Sequence, residues 1–281
     1  MNLELKKLLE FGILNIDKPS GPTSFDVSDF IRKKMTNLGV RKTSHFGTLD
    51  PKVTGVLPIA LNRACKLTGY FLGHDKEYIG VMKLHEEVEL GKIQKVINKK
   101  FIGKIKQLPP VRSSVKRQER EREIKKFEIL EKDGLNLLFA VECEGGTYIR
   151  KLIHDLGKEL EVGAHMLELR RIRAGIFSEE NSINLYKLER AVEDEEKLKK
   201  IIIPAEEAIK KIYPSVKIKK ECTDKVLQGQ PIYLEELTEK KDYKKDLIIA
   251  AFCEEKFIGI YKVINEKRMF AKSEFVMQQI K

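Results

Sequence analysis

The sequence predicts an α+β protein in two domains, a large mixed one followed by a small β module. Three observations carry this. Apolar runs of strand length recur at residues 13–16 (ILNI), 77–84 (EYIGVMKL) and 137–143 (LLFAVEC). Helical periodicity lies between and after them, clearest in the stripe Ile149, Leu152, Ile153, Leu156 and Leu160. From about Tyr213 the pattern changes to short β-rich runs at 216–218, 247–253 and 257–263, punctuated by Gly229 and Gly259. We therefore expect domains over residues 1–212 and 213–281, the second of ordinary module size.

Taken in order, ILNI runs into Asp17-Lys18-Pro19-Ser20-Gly21-Pro22, dense turn chemistry. Thr23 or Ser24 can cap a helix through about Met35, because Phe25, Val27, Phe30 and Ile31 are roughly helically spaced. Residues 41–61 read as a Gly/Pro-punctuated loop running into an apolar segment. The strands at 77–84 and 137–143 and the helix at 149–160 follow. Pro204 and Pro214 bracket the last helix-like stretch before the β-rich tail.

The 281 residues carry a formal net charge of +11 and a pI near 9.3. The 14 basic and 11 acidic side chains of residues 213–281 leave +8 on residues 1–212. A hydrophobic fraction of 42% is enough to build a core, which argues against wholesale disorder. The longest apolar runs, such as residues 56–61 and 247–252, fall far short of the ~20 residues of a membrane helix. The N-terminus has acidic residues and no small-residue cleavage site, so no secretory signal is read and a cytoplasmic location is expected. The positive surplus makes nucleic acid the first partner to consider. A Lys-rich solvated surface would give the same number. The four cysteines and five histidines are scattered, without the spacing of a metal centre or a disulfide framework. Neither a Walker-type loop nor a G-x-G-x-x-G after a strand is present. Any catalysis is expected to run on side chains alone, with no cofactor and no metal.

The most informative stretch is HFGTLDPKVTGVLP, His45 to Pro58. Asp50 precedes a proline, which pushes its backbone toward extended geometry. Gly47 and Gly55 allow conformations or close approaches that a side chain would block. The outcome is a carboxylate on a constrained loop beside an apolar segment, either a plain Asp-Pro turn or a group presented to a ligand. Two basic clusters stand out. Residues 112–126 hold seven basic and three acidic side chains, and Arg170, Arg171 and Arg173 form a second group. Such clusters neutralise phosphates or form a solvated mixed-charge face.

These residues resemble the TruB family of pseudouridine synthases. HFGTLDPKVTGVLP resembles the family's catalytic motif, with Asp50 at the catalytic aspartate. GILNIDKPSGPTS (Gly12 to Ser24), Lys76-Glu77-Tyr78, QLPPVRSSVKRQEREREI (Gln107 to Ile124), GGTYIRKLIHDLG (Gly145 to Gly157) and LELRRIRAGIF (Leu167 to Phe177) resemble five further motifs in family order. The resemblance implies a catalytic domain with a mixed, mainly antiparallel sheet and flanking helices. The tail, through LQGQPI and the run ending GIYKVI, resembles a PUA domain, a small RNA-binding β-barrel. The implied reaction breaks the N-glycosidic bond of a uridine, turns the uracil and rebonds it through carbon, with Asp50 as nucleophile on a flipped-out base. By the same match Tyr78 stacks on that base, Arg150 pairs with Asp50 and aims it, and Tyr148 and Leu169 line the pocket. His45 helps extrude the base and Lys18 braces the active-site loop. Without the resemblance, Tyr78, Tyr148 and Leu169 also read as core, His45 as structural and Arg150 as surface. Arg112, Lys116, Arg117 and Arg120, on a flexible thumb loop, and Arg170 and Arg171 are expected to contact RNA. Ser44-His45-Phe46 departs from the family's more usual Gly-His-Ser or Gly-His-Thr, and Ser113-Ser114 replaces a more usual Ser-Ala.

The stretch from Glu77 to Pro110 resembles the archaeal and eukaryotic branch related to dyskerin, and the Thr-Asp-Thr-x-Asp segment of the bacterial branch is absent. Without the long Lys-rich tails of eukaryotic members, an archaeal source fits. That branch implies a box H/ACA ribonucleoprotein in which a guide RNA selects the uridine in rRNA and small accessory proteins complete the particle. It also implies guide-independent modification of the T-arm uridine of tRNA, position 55. A non-catalytic RNA-binding scaffold of the same fold is the alternative.

Overall fold

The structure is a computed structural model and describes residues 1–109, 117–239 and 242–277. The chain divides into two compact units, Met1–Ile202 and Ile203–Lys281.

In the first unit α1 (Leu3–Glu10) leads into β1 (Gly12–Lys18), and α2 (Ser24–Lys34) follows the Pro/Gly turn. Of the two capping candidates, Thr23 takes the role. Its side chain accepts from the Asp26 N–H, and the Asp26 carboxylate accepts from the Thr23 N–H, a reciprocal cap. Then come β2 (Thr43–His45), β3 (Thr54–Leu61), α3 (Thr68–Leu72), β4 (Lys76–Leu84), α4 (Leu90–Lys100), β5 (Gly103–Gln107), β6 (Arg120–Asp133) and β7 (Asn136–Cys143). The unit closes with α5 (Ile149–Glu159), β8 (Ala164–Ala174), β9 (Phe177–Ser178), α6 (Leu185–Val192) and α7 (Glu195–Ile201). Strands predicted at 13–16, 77–84 and 137–143 are present, each slightly longer. β6 begins inside the basic segment, so Arg120 lies on a strand opposite Gln107, and not on a loop.

From β1 onward, among the strands of the first unit, the sheet path is β1-β3-β8-β4-β7-β6-β5, with β2 on β3 and β9 on β8. Its pairs are antiparallel except β3–β8, which is parallel with Thr54 opposite Arg170 and Gly55 opposite Arg171. That junction sets the site, because the loop bearing Asp50 feeds directly into β3. Gly55 is required there: at φ +101°, a Cβ would sit 2.2 Å from the Arg171 carbonyl oxygen. Helix α5 buries the predicted stripe, with Leu152, Ile153 and Leu156 fully enclosed. Each such side chain contributes roughly 1.5–3 kcal/mol relative to an exposed one.

The second unit starts ten residues earlier than expected, at 203 and not 213. The short strand β10 (Ile202–Pro204) brings the chain to α8 (Ala205–Lys210). That helix belongs with the β module. Lys210 lies 5.0 Å over the Phe252 ring and 3.1 Å from Glu255. The module contains β11 (Ser215–Lys217), α9 (Thr223–Leu227), β12 (Ile232–Tyr233), β13 (Ile248–Cys253), β14 (Lys256–Glu266) and β15 (Met269–Val276). The sheet order is β11-β13-β14-β15-β12, around a core of Val216, Ile218, Val226, Ile232, Tyr261 and Phe270. The buried Tyr261 hydroxyl donates to the Val226 carbonyl at 3.0 Å.

Candidate active site

Asp50 sits between β2 and β3 on a loop fastened from one side by the N-terminal turn. The Gly21 N–H (2.9 Å) and Lys18 Nζ (3.0 Å) both donate to the Pro51 carbonyl. Lys18 also donates to the Pro19 carbonyl at 2.7 Å. The Leu49 N–H donates to Ser24 Oγ at 2.8 Å, and that hydroxyl donates back to the Leu49 carbonyl at 3.0 Å. Leu49 and Val53, on either side of Asp50, are buried in the core, while the Asp50 side chain is 46% exposed. The turn Asp17–Pro22 is thus the clamp on the carboxylate. Lys18 is fully buried, and burial lowers the pKa of its ammonium, with the charge of Asp50 working in the opposite direction.

Arg150 opens α5, and its Nη2 lies 2.7 Å from Asp50 Oδ2. The start of that helix is fixed by buried Gln107, whose side-chain oxygen accepts from the Tyr148 N–H (3.0 Å) and whose amide donates to the Tyr148 carbonyl (3.2 Å). Sequence reasoning assigned neither Gln107 nor Ser24 a place at the site. Both lie inside motifs it used, and the signal available was an uncharged polar residue beside apolar positions.

On the sheet, β4 and β8 set Tyr78 opposite Arg171 and Gly80 opposite Leu169, so Tyr78, Leu169 and Arg171 share one face. Tyr78 is buried, which raises its phenol pKa, and the nearby Arg171 guanidinium acts against that shift. His45 ends β2 half-buried, and its Nδ1 has no partner among the described residues. Burial first, and the charge of Arg171 second, lower its pKa from the ordinary imidazole value, which favours the neutral ring. Phe46, the departure beside it, is buried against Phe71 (centroids 4.5 Å, planes 7° apart) and Phe177 (6.1 Å). The bulky ring is absorbed by an aromatic cluster.

Lys76, on β4, is also buried. Its ammonium donates to the carbonyls of Leu72 (2.6 Å) and His74, and burial pushes its pKa down to about 8.

The second arginine cluster requires a correction. Arg170 and Arg171 are neighbours on a pleat and face opposite sides of the sheet. Arg171 is 1% exposed, so it is removed from the expected RNA contacts. Arg170 is already paired bidentately with Asp17 (2.9 and 3.2 Å) and with Glu179 (2.9 Å). Arg173 is paired with Glu77 (2.6 Å) and Glu142 (2.8 Å). Neither offers the unpaired charge that a phosphate contact needs. Arg117 is exposed and Arg120 half-buried, while Arg112 and Lys116 lie outside the described residues. Among the described residues no cluster of three or more His, Cys, Asp or Glu could hold a metal ion, and no helix is long and apolar enough to cross a membrane.

Comparison with known proteins places this geometry. Residues 33–149 match the TruB family pseudouridylate synthase (N terminal domain), and residues 150–210 match the tRNA pseudouridylate synthase B C-terminal domain. The chain is 45% identical over 224 residues to the probable tRNA pseudouridine synthase B of Methanopyrus kandleri, covering 78% of this chain and 65% of that protein. It is thus similar to just under two thirds of that relative's length. It is 43% identical over 232 residues to the protein of the same name from Methanothermobacter thermautotrophicus, covering 80% of this chain and 70% of that one. Among solved structures it is similar to a chain of a Cbf5-Nop10-Gar1 complex (TM-score 0.88, 36% identity, 98% of this chain and 87% of that chain). It is also similar to a chain of an H/ACA RNP bound to a substrate RNA containing 2'-deoxyuridine (TM-score 0.87, 35% identity, 98% and 87%). The six ordered motifs, the sheet that carries them and these matches together mean that the chain belongs to the TruB family of pseudouridylate synthases.

Proposed function

We propose that this chain isomerises specific uridines in RNA to pseudouridine, with Asp50 as the nucleophile. The observation that carries the reading is the Asp50–Arg150 ion pair at 2.7 Å on a loop fastened by Lys18, Gly21 and Ser24. A side chain at the tip of an otherwise anchored loop is held in place without being buried, which a nucleophile approached by a large polymer needs. The reaction is an isomerisation: one C–N bond breaks, one C–C bond forms, and the proton lost from the uracil carbon is balanced by one gained at nitrogen. It calls for a carboxylate, a stacking surface and a dry pocket, and for no redox partner.

In this reading the uridine leaves its stack and its base lies on the Tyr78 ring, with Leu169 and Tyr148 around it; aromatic–base stacking contributes roughly 1–3 kcal/mol. Arg150 aims the carboxylate. His45, whose burial lowers its pKa, acts at the mouth of the pocket as the base is extruded. Lys18 braces the loop through the Pro51 carbonyl. Arg117 and Arg120 meet RNA phosphates, as do Arg112 and Lys116. The β module serves as the PUA domain and grips RNA. The likeness to chains of a Cbf5-Nop10-Gar1 complex and of an H/ACA RNP bound to a substrate RNA supports a ribonucleoprotein setting; in this reading a guide RNA and small accessory proteins are the partners and rRNA a target. The names of the archaeal relatives support tRNA as a substrate, and the T-arm uridine at position 55 is the site proposed on it. Such substrates fit a cytoplasmic enzyme.

The test offers the protein bare tRNA and, separately, a guide RNA with accessory proteins and a matched target, and reads pseudouridine by base-specific chemistry. Product that Asp50→Ala abolishes supports the reading. Product on the guided target alone assigns the chain to the ribonucleoprotein, and efficient product on bare tRNA assigns it to stand-alone work. RNA binding without product in both arms returns the non-catalytic scaffold.

A further inference from the structure

Arg171 has no role in the reading above, yet it is the largest side chain enclosed by the fold. It is 1% exposed, and among the described residues no carboxylate pairs with it, whereas Arg170 and Arg173 are both paired. An apolar side chain of similar volume would fill the core without the desolvation of a cation, so packing does not explain an arginine there. Its hydrogen bonds do. Nε donates to the Val56 carbonyl at 2.7 Å and Nη2 donates to the Gly47 carbonyl at 3.0 Å. Gly47 precedes Asp50 by three residues and Val56 follows it by six, so one rigid fork spans the two ends of the Asp50 loop. The same residue lies opposite Tyr78 on β4. Gly47 itself is at φ +111°, and a Cβ there would meet Arg171 Nη1 at 3.5 Å, so the guanidinium packs against the loop backbone at this glycine.

We propose that Arg171 is a positioning residue for the isomerisation: its guanidinium ties both ends of the Asp50 loop to β8 and so fixes the carboxylate relative to the Tyr78 ring. The proposal rests on the assignment of Asp50 as nucleophile. It adds a third anchor from the sheet side, independent of the N-terminal turn that holds Leu49 and Pro51. It also replaces the expectation that Arg171 contacts RNA.

The test compares wild type with Arg171→Lys and Arg171→Met, using Asp50→Ala as the chemical control. Lysine keeps the charge but lacks the planar fork, so it can tie the two carbonyls only poorly. Single-turnover pseudouridine formation at saturating RNA is expected to fall about 10- to 100-fold in Arg171→Lys and further in Arg171→Met, because sub-ångström misplacement of a reacting group carries penalties of that size. RNA affinity and its salt dependence are expected to stay within about twofold of wild type, since a buried cation releases no phosphate counterion. Native-state hydrogen exchange adds a readout that does not depend on activity. Amides of the peptide spanning residues 46–57 are expected to exchange about tenfold faster in Arg171→Lys, with the strands of the second unit unchanged. If Arg171→Met fails to fold, the Arg171→Lys arm decides alone. A wild-type rate with unchanged loop exchange would overturn the proposal. So would a loss confined to affinity, with a salt slope smaller by about one, which marks a phosphate contact. If the wild type makes no pseudouridine, the reading of the reaction fails, while the exchange data still report whether Arg171 tethers the loop.

Discussion

Asp50 and Arg150 form a solvent-accessible ion pair, with side chains 46% and 57% exposed. Exposed pairs of this kind contribute about 1 kcal/mol or less to stability, so stability does not explain its placement. Arg150→Ala is expected to lower the unfolding free energy, measured by urea denaturation, by no more than that amount. Single-turnover pseudouridine formation should slow by about 10²-fold or more, as when other preorganised charged groups are removed. Equal losses in folding and rate would assign Arg150 to the scaffold. Lys76 offers a second test. Its folded pKa of about 8 lies below the ordinary 10.5. Between those values the unfolded chain binds more protons than the folded one, so this residue makes stability rise as pH increases from about 8 to 10.5 and leaves it flat below. Urea denaturation of wild type and Lys76→Met across that range should show a difference that grows with pH; a constant difference would contradict the burial argument. At this scale the motifs singled out Asp50, Arg150, Tyr78 and Lys18, and the structure brings Asp50, Arg150 and Lys18 together around one loop. Ser24, Gln107 and the task of Arg171 were not, because each acts on backbone atoms distant in sequence: 25 residues for Ser24 to Leu49, 41 for Gln107 to Tyr148 and 115 for Arg171 to Val56.

Elements with a clean period were legible, and those that break the pattern were not. Helix α5 shows its apolar stripe openly, and the fold buries that stripe beneath Arg150. Leu156→Ala is expected to destabilise the first unit by about 2–5 kcal/mol, measured by denaturant unfolding. A cost below about 1 kcal/mol would mean that the helix rests on the core more loosely than the burial of Leu156 implies. Strand β8 inverts the usual code. Leu167, Leu169 and Arg171 recur at every second position, yet a register shift at Leu167 leaves that leucine exposed while Leu169 and Arg171 are buried, so simple alternation with charges outward misassigns this strand. A buried cation supplied with backbone acceptors is the physical reason, and only the partner strands reveal those acceptors. The boundary between units moved for a similar reason: Pro204 and Pro214 bracket α8 in sequence, but the Lys210 contacts with Phe252 and Glu255 tie it to the β module.

For the whole molecule, part of the +11 surplus is engaged within the protein: Arg170 and Arg173 in ion pairs and Arg171 at the Asp50 loop. Among the described residues Arg117 and Arg120 remain the proposed RNA contacts. Arg117→Ala and Arg120→Ala are each expected to weaken RNA binding and lower its salt slope by about one, leaving the single-turnover rate at saturating RNA unchanged. A rate effect without an affinity effect would place them at the chemistry. In the proposed reaction Asp50 forms pseudouridine by attack on a flipped uridine. This role is tested most directly by single-turnover product formation with Asp50→Ala and wild type at saturating RNA. RNA binding is expected to stay within about twofold of wild type, with no pseudouridine above background from the variant, because phosphate and stacking contacts hold the RNA and a lone carboxylate performs the reaction. Product from Asp50→Ala at the wild-type rate would contradict it.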